Sequence, residues 1–320
     1  MQMIGHDAAW QQWREAMSGG RMAHGWILAG RKGLGKRHFA DQAARELVGV
    51  SPALNDSAAH PDILVLTHLP KDEKEEKKRD EGKDYQRKRN ITIDQIRGMQ
   101  RRLTTRPTLG DRRVVIIDPA DDLENNAANA LLKCLEEPPA GTFFLLVSHR
   151  PASLLPTIRS RCRMMRFPLL TEQEIDTVLQ SRAAEADQDM RAASIAAAGG
   201  SPGVALEFLD QDLCRIDTLL REISRQKDPH FTLRGQLVAE VGPRADRVRI
   251  QALIELARAV LVRKMHDIPR DALPDLVDSY NELNRLAGEA PIYNFDTGLL
   301  VMEIGGLLAR TAPSREPDHG

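Results

Sequence analysis

The sequence predicts an α/β domain with a parallel β-sheet, followed by a part of the chain that is entirely helical. Two observations lead to this fold class. Over the first 168 residues, short apolar runs alternate with helical stretches, as the strands of a parallel sheet alternate with their crossover helices. After Pro168 the periodicity of apolar residues is that of helices. A chain of 320 residues has room for two or three such domains.

Five apolar runs predict the strands of the first domain, which we place at residues 1–168. The runs are 25–29, 63–66, 114–117, 143–147 and 164–167. Because strands of a parallel sheet are covered by helices, we expect them to be buried on both faces. The first run stops at glycines, and a helical pattern follows from about Arg37 to Leu47. The domain is therefore predicted to begin with a strand, a glycine-rich loop and a helix.

A highly charged segment interrupts the first domain at residues 71–90, where 16 of 20 residues carry a charge. Such a segment cannot bury enough apolar surface to offset the entropy lost on ordering it. We expect a solvated loop or a frayed helix, and a partner-binding arm is the alternative.

Helical patterns in the rest of the chain predict two further domains. Thr171 offers an N-cap to the first of these helices, and the Ala-rich sequence after it stops at Gly199-Gly-Ser-Pro-Gly203. We predict a small helical lid domain over 169–210 and an all-helical domain over 211–312. The final residues, 313–320, are predicted to be a disordered tail.

Two apolar patterns support the all-helical domain. Apolar residues recur at spacings of 3, 4 and 7 between Ile250 and Leu261, and a last helix is predicted from about Asp296 to Ala309. These apolar stripes serve either the core of the domain itself or its assembly with other subunits.

Composition excludes several classes of protein. The formal net charge is −1, so we do not expect a protein that grips DNA by itself. Cys134, Cys162 and Cys214 form no C-x-x-C pair, which predicts reduced structural thiols and no zinc site. The sequence has no apolar run of about 18 residues and no signal-peptide pattern at its start, so we expect a cytoplasmic protein that does not contact a membrane.

A phosphate-binding loop is predicted after the first strand, where Gly30-Arg-Lys-Gly-Leu-Gly-Lys36 matches G-x-x-x-x-G-K. The glycines, Gly30, Gly33 and Gly35, let backbone N–H groups turn toward phosphates, and Lys36 reaches the β and γ oxygens. These four residues are candidates for binding ATP. The alternative is a loop kept only for fold and packing.

Two positions of this site lack the chemistry of hydrolysis. Arg37 stands where a Ser or Thr would place a hydroxyl on Mg²⁺. Asp118 ends the strand 113–118 as a Walker B aspartate does, but the next residue, where a glutamate could polarise water, is Pro119. We therefore expect little or no intrinsic ATPase activity and predict no metal ligands.

Several motifs resemble those of the bacterial clamp-loader subunits of the AAA+ class. The segment Asp121–Pro139 is similar to the helix after Walker B in that family, especially in Asn129-Ala-Leu-Leu-Lys and Leu135-Glu-Glu-Pro-Pro. Thr157-Ile-Arg-Ser-Arg-Cys162 looks like the family's Ser-Arg-Cys motif, and His60-Pro-Asp62 precedes a strand. With Ile4-Gly-His6 and His24, the resemblance covers most of residues 1–210.

The resemblance implies a role for particular residues. In this family the motor subunits hydrolyse ATP, whereas the delta-prime branch often has a degraded site and offers an arginine to the ATP of its neighbour; Arg37 and Pro119 point to that branch. The resemblance gives the arginine role to Arg161, with Arg159 as a weaker candidate for DNA or interface contacts. Gly203 stands where motor subunits carry a nucleotide-sensing arginine, and Val48–Ala59 lacks the four-cysteine zinc module of many relatives.

The resemblance also implies the assembly. We expect a component of the DNA polymerase III holoenzyme: a hetero-oligomeric loader that contains motor (gamma/tau) and delta subunits and places a sliding clamp on primer-template DNA during replication. Residues 211–312 would form its collar. No cofactor is required by this reading, and ATP at the chain's own site stays open. One alternative is an ATP-hydrolysing motor subunit of the loader or a related AAA+ helicase-like enzyme, which requires Mg²⁺-dependent turnover by the isolated chain. The other is a P-loop kinase of small molecules, which leaves the Leu135-Glu-Glu-Pro-Pro helix and the all-helical third domain unexplained.

Overall fold

The structure is a computed structural model of the chain. It describes residues 3–20, 22–50, 60–226, 228–243, 245, 247–265, 268–290 and 295–313. The chain forms two compact units, Met1–Leu170 and Thr171–Gly320. Residues 51–59, which make up most of the stretch predicted to lack a zinc module, lie outside the described residues. Residues 314–320 of the predicted tail also lie outside them.

The first unit contains a parallel sheet of five strands in the order β2-β3-β4-β1-β5. The strands are β1 (Gly25–Ala29), β2 (Ile63–Leu66), β3 (Arg113–Ile117), β4 (Thr142–Ser148) and β5 (Arg163–Arg166). The helices are α1 (Asp7–Ser18), α2 (Lys36–Leu47), α3 (Glu73–Asp80), α4 (Ile93–Leu103), α5 (Asn125–Glu136) and α6 (Pro156–Arg159). The predicted α/β fold with a parallel sheet is therefore confirmed.

Helices cover both faces of this sheet. Alternate residues of β1 point to opposite faces, and Ile27 belongs to a core cluster with residues of α4 and α5. On the other face, Trp26 lies edge-on to Trp13 of α1, with 5.5 Å between the ring centroids, and Trp13 also contacts Phe39 of α2. The sheet is thus the middle layer of three, and the loop from β1 to α2 emerges at its carboxyl edge.

Complete burial of all five strands was a wrong prediction for the two at the edges. Val65 in β2 is 41% exposed, and Arg163 and Arg166 in β5 are exposed. Edge strands have one neighbouring strand instead of two, so part of their surface faces solvent. The three inner strands are buried along their whole length, as predicted.

The charged segment 71–90 is more ordered than a solvated loop. Asp72 caps the N-terminus of α3 by accepting a hydrogen bond from the backbone N–H of Glu75. The carboxylate of Glu75 is buried, accepting from the Lys78 ammonium at 2.8 Å and from the backbone N–H of Gln86 at 2.6 Å. Glu75 thus links α3 to the chain at Gln86. The apolar content of the segment alone could not predict this contact.

The second unit is helical in its described residues. Its helices are α7 (Glu172–Arg182), α8 (Gln188–Ala198), α9 (Pro202–Asp210), α10 (Cys214–Gln226), α11 (Thr232–Val241), α12 (Arg247–Lys264), α13 (Leu273–Glu289) and α14 (Thr297–Arg310). Thr171 and Glu174 form the capping box that starts α7. Gly199 adopts the left-handed conformation that ends α8, so the predicted break lies between α8 and α9.

A large hydrophobic cluster joins described residues of α8 to α14. It includes Ala197 of α8 and Phe208 of α9 together with residues of α10 to α14, so a division at residue 210 stays a prediction. The apolar stripe of α12 lies in or against the same cluster; its residues are Ile250, Leu253, Ile254, Ala257, Val260 and Leu261. That stripe is therefore used by the unit's own core. None of the described helices is both long and apolar enough to cross a bilayer.

Candidate nucleotide site and exposed arginine

The loop after β1 has the backbone that phosphate binding requires. Gly33 and Gly35 have φ angles of 83° and 76°, which are accessible to glycine at little cost. A Cβ on Gly30 would lie 2.6 Å from the carbonyl oxygen of Phe167, so this position needs glycine for close packing. Lys36, the first residue of α2, is 2% exposed, and its ammonium donates to the carbonyl oxygens of Gly30 and Arg31. The Lys36 side chain therefore lies inside the loop and contacts its first two carbonyl groups.

Burial changes the acidity of this lysine. The loss of solvent lowers the pKa of Lys36 to about 8, although the nearby carboxylates of Asp121 and Asp118 favour its charged form. Lys36 therefore stays mostly protonated at pH 7. Its charge, the two left-handed glycines and the N-terminus of α2 are the groups with which this loop would hold the phosphates of a nucleotide.

Arg37 changes the neighbouring metal position. Its Nε donates to both carboxylate oxygens of Asp41, at 3.0 and 2.9 Å, and its Nη1 lies 3.4 Å from Oδ2 of Asp118. Asp118 directly follows β3 and is the carboxylate that would bind Mg²⁺ in a hydrolytic site. Here that carboxylate pairs with a guanidinium and no hydroxyl follows Lys36, so the residues present do not fit a magnesium ion.

A second carboxylate near the loop, Asp121, is fully engaged with the end of β4. It accepts hydrogen bonds from the Ser148 hydroxyl at 2.7 Å, from the backbone N–H of His149 and from that of Arg150 at 3.2 Å. Asp121 therefore fixes the turn after β4. It does not replace the water-polarising glutamate, whose position is occupied by Pro119.

Sequence reasoning did not identify Asp121 and His149 as members of this site. His149 follows β4 at the same carboxyl edge, and its Nδ1 is buried without a hydrogen-bond partner among the described residues. Burial lowers the pKa of His149, and the charge of Lys36 lowers it further. Both residues closely follow a buried parallel strand in the sequence, and this position could have identified them. Ligands of parallel α/β sheets usually bind at the carboxyl ends of the strands.

Arg161 lies elsewhere, in the turn that joins α6 to β5. Its side chain is 36% exposed and forms an ion pair with Glu136 of the Leu135-Glu-Glu-Pro-Pro motif at 2.7 Å. Its Nη1 also donates to the carbonyl oxygen of Thr157 at 3.0 Å. Two motifs that are separate in sequence therefore meet at this arginine.

The strand register places Arg161 far from the chain's own phosphate loop. Trp26, near the start of β1, pairs with Arg163, and Ala29 at the end of β1 pairs with Arg166. Arg161 therefore lies at the amino edge of the sheet, whereas Lys36 and Asp118 lie at the carboxyl edge. At ~3.3 Å per residue, the length of β1 separates the two edges by roughly 13 Å.

Cys162, which follows Arg161 in sequence, packs against the start of β1. A Cβ on Gly25 would approach the sulfur of Cys162 to 2.7 Å, so the thiol packs directly on the start of β1. Burial raises the pKa of Cys162 to about 12, so its side chain is a thiol rather than a thiolate at neutral pH. The cysteine of the Ser-Arg-Cys motif is thus a packing residue next to the arginine in sequence.

This contact predicts a rescue experiment. Gly25→Ala should lower the free energy of unfolding by about 1–3 kcal/mol, because the new methyl group overpacks the site. Cys162→Ala in the same chain should restore part of that loss by removing the sulfur. Urea unfolding followed by tryptophan fluorescence measures it, since Trp10, Trp13 and Trp26 all lie in the first unit. Additive losses in the double variant would contradict the contact.

The His60-Pro-Asp62 motif has a structural role. Asp62 is fully buried and accepts hydrogen bonds from the backbone N–H groups of Thr108 and Leu109, at 2.7 and 2.8 Å. It also pairs with the buried guanidinium of Arg113 at 3.3 Å. Burial alone would raise the pKa of Asp62, but these donors outweigh it and hold the pKa below its ordinary value. Asp62 thus joins β2, β3 and the loop after α4.

Comparison with known proteins identifies relatives. The chain is 36% identical over 211 residues to DNA polymerase III subunit delta′ of Pseudomonas aeruginosa, a match that covers 60% of this chain and 58% of the relative. It is 41% identical over 125 residues to the subunit of the same name from Escherichia coli, covering 39% of this chain and 37% of the relative. The aligned parts therefore span less than two thirds of these relatives.

A solved structure supports the fold alone. The DNA polymerase III gamma subunit-related protein of Thermotoga maritima superposes with a TM-score of 0.53 at 20% identity, covering 94% of this chain and 98% of that one.

The resemblance to clamp-loader subunits of the delta-prime branch is confirmed by the named relatives. The family model described as "DNA polymerase III, delta subunit" matches residues 5–171, more than half of the sequence, and the chain therefore belongs to that family.

Proposed function

We propose that this chain is a subunit of a DNA polymerase III clamp loader that does not hydrolyse ATP and that presents Arg161 to ATP bound on a neighbouring motor subunit. In this role it works with gamma/tau-type motor subunits and a delta subunit to place a sliding clamp on primer-template DNA. DNA contact is to phosphates and is shared across the assembly, because the chain alone has a net charge of −1.

The position of Arg161 carries this proposal. It is exposed at the amino edge of the sheet, roughly 13 Å of strand away from the chain's own loop, so the phosphates within its reach belong to another molecule. Its ion pair with Glu136 is solvent-exposed, and such pairs contribute only about 0–1 kcal/mol. A transferring phosphoryl group of higher charge can therefore displace Glu136 at little cost.

The lack of hydrolysis at the chain's own site follows from three side chains. Arg37 replaces the metal-binding hydroxyl, and Pro119 replaces the residue that would polarise water. Asp121, the other nearby carboxylate, is saturated by donors at the end of β4. Phosphoryl transfer depends on such positioned charges, so the isolated chain is expected to hydrolyse ATP no faster than background.

Substitution of Arg161 tests the proposal. In a loader reconstituted with this chain, Arg161→Ala should lower the clamp- and primer-template-stimulated ATPase rate several-fold. An arginine supplied in trans contributes roughly 10³–10⁵ in rate at one site, and the sites that receive their arginine from other subunits keep turning over. The measurement is steady-state phosphate release by loaders whose assembly has been verified by gel filtration.

Three matched variants separate charge, geometry and position. Arg161→Lys keeps the charge without the planar fork and should give an intermediate rate. Glu136→Gln removes the ion pair of Arg161 and should not lower the ATPase rate. Arg159→Ala removes an exposed arginine two residues away and should lower the rate less than Arg161→Ala does. An unchanged rate with Arg161→Ala, or failure of the wild-type chain to join the loader, would refute the proposal.

A further inference from the structure

A cavity in the second unit lies where the ends of α10, α12 and α14 meet the start of α13. Its volume is about 1160 Å³. Small-molecule sites enclose roughly 300–1,000 Å³, so the cavity can hold a molecule of nucleotide size. Its wall combines apolar residues, such as Val260, Ile268 and Ala312, with residues of both charges.

Four cations line the cavity from two helix ends: Arg221 and Arg225 of α10, and Arg263 and Lys264 of α12. The carboxylate that pairs with them is Asp217, which is 3% exposed and forms ion pairs with Arg221 and, at 3.3 Å, with Nη2 of Arg263. The dipole of each helix adds about half a negative charge at its end. The four cations therefore exceed the charge that Asp217 and the two helix ends offset by about two units.

Lys264 and Arg225 carry this excess charge. The Lys264 ammonium donates to the carbonyl oxygen of Ser224 and lies 3.4 Å from Oγ1 of Thr311, and both acceptors are neutral. Arg225 is exposed and forms no ion pair with another described residue. Burial lowers the pKa of Lys264, and the charge of Arg225 lowers it further. The two cations thus repel each other, and an anion bound beside them would relieve this repulsion.

The start of α13 gives the cavity a different chemistry. Asp271 and Asp275 line it there, and neither forms an ion pair with a described cation. Arg310, at the end of α14, pairs with Glu303 at 3.6 Å and so adds little net charge. Carboxylates repel phosphates but accept hydrogen bonds from hydroxyl groups, as the acidic residue of a Rossmann fold does from a ribose. The cavity therefore suits a molecule with phosphate at one end and hydroxyl groups at the other.

We propose that this cavity binds a phosphorylated small molecule that carries hydroxyl groups, the chemistry shared by sugar phosphates and nucleotides. Its phosphate accepts hydrogen bonds from Arg225, Lys264 and Arg221, whose Nε is buried without a hydrogen-bond partner among the described residues. Its hydroxyl groups donate to the carboxylates at the start of α13. None of the described lining residues is aromatic, so a nucleic-acid strand would find no side chain on which to stack its bases.

Hydrogen exchange of the full wild-type chain, followed by mass spectrometry, tests the proposal because it locates binding in either unit. With ribose 5-phosphate or ADP as the probe, amides at the ends of α10 and α12 should exchange more slowly, and adenosine, which lacks phosphate, should have no effect. The probe that protects at the lower concentration identifies a sugar phosphate or a nucleotide as the ligand. Protection confined to the loop at Lys36 would overturn the proposal, and so would protection of α10 and α12 by single-stranded DNA but by neither small molecule.

Three variants make the result specific to the cavity. Arg225→Gln should raise the probe concentration for half-maximal protection about tenfold, the usual effect of losing one charge-assisted hydrogen bond. Its matched control is Arg215→Gln, which removes an exposed arginine ten residues earlier in α10. That distance is about 15 Å along the helix, beyond the Debye length of about 8 Å at physiological salt, so the change should stay below about twofold.

Asp275→Ala tests the end of the cavity that receives the hydroxyl groups. It should weaken the binding of ribose 5-phosphate, because an acceptor is lost, but should not weaken the binding of inorganic pyrophosphate, which has no ribose. The proposal is overturned if Arg225→Gln and Arg215→Gln have equal effects, or if Asp275→Ala leaves the binding of ribose 5-phosphate as tight as in the wild-type chain. This site lies in the second unit and is independent of the proposed role of Arg161 in the first.

Discussion

Asp62→Ala is expected to lower the free energy of unfolding of the first unit by about 3–5 kcal/mol, because it leaves the buried guanidinium of Arg113 without its counter-ion. The backbone N–H groups of Thr108 and Leu109 lose their acceptor at the same time. Asp62 is fully buried, so water cannot take the place of its carboxylate without local opening. Urea unfolding followed by tryptophan fluorescence measures the loss.

Two controls identify the cause of that loss. Asp84→Ala removes an exposed acid and should change the free energy of unfolding by no more than about 0.5 kcal/mol. Arg113→Met combined with Asp62→Ala should cost less than the sum of the two single changes, because the uncompensated charge is then gone. A loss below about 1 kcal/mol for Asp62→Ala would show that the pair adds little to stability.

The same carboxylate predicts a dependence on pH. Its folded pKa is depressed, because donated hydrogen bonds and Arg113 outweigh the effect of burial. The stabilisation is therefore complete above the unfolded pKa of about 3.9 and is lost as the pH falls through the lower, folded pKa. The difference in stability between the wild-type chain and Asp62→Asn should accordingly shrink as the pH is lowered below about 4. A constant difference across that range would contradict a shifted pKa for Asp62.

The fold could be predicted because its signals are local. Apolar runs interrupted by glycine mark β1 and the loop after it, and Thr171 with Glu174 marks the start of α7. The strands begin or end within one residue of the predicted positions. Exposure of β2 and β5 was not predictable in the same way, since a sequence run does not say which strand lies at the edge of the sheet.

The sequence motifs identified candidate residues of the site but not the contacts between them. Lys36, Asp118 and Arg161 were found from motifs, and the structure places the first two at one edge of the sheet and the third at the other. Sequence reasoning saw Arg37 only as the loss of a hydroxyl. Its partner Asp118 lies 81 positions further along the chain, and their contact depends on the order of the strands, so it required the tertiary structure.

Phe39→Ala is expected to lower the free energy of unfolding by about 3–5 kcal/mol, the usual cost of truncating a buried phenylalanine. Phe39 is 0% exposed, and its ring lies 4.3 Å from that of Trp10 and 5.2 Å from that of Phe167, measured between centroids. It is one helical turn after Lys36, so this cluster also fixes the helix that carries the phosphate loop.

The matched control for Phe39→Ala is Leu109→Ala, which truncates an apolar side chain that is 70% exposed and should cost no more than about 0.5 kcal/mol. Circular dichroism should accompany tryptophan fluorescence, because Trp10 and Trp13 both contact the Phe39 ring. If Phe39→Ala costs less than about 1 kcal/mol, the cluster collapses into the vacated space and does not hold α2 rigidly. A large loss would mean that the position of Lys36 and Arg37 is set by packing behind the loop, independently of any ligand in front of it.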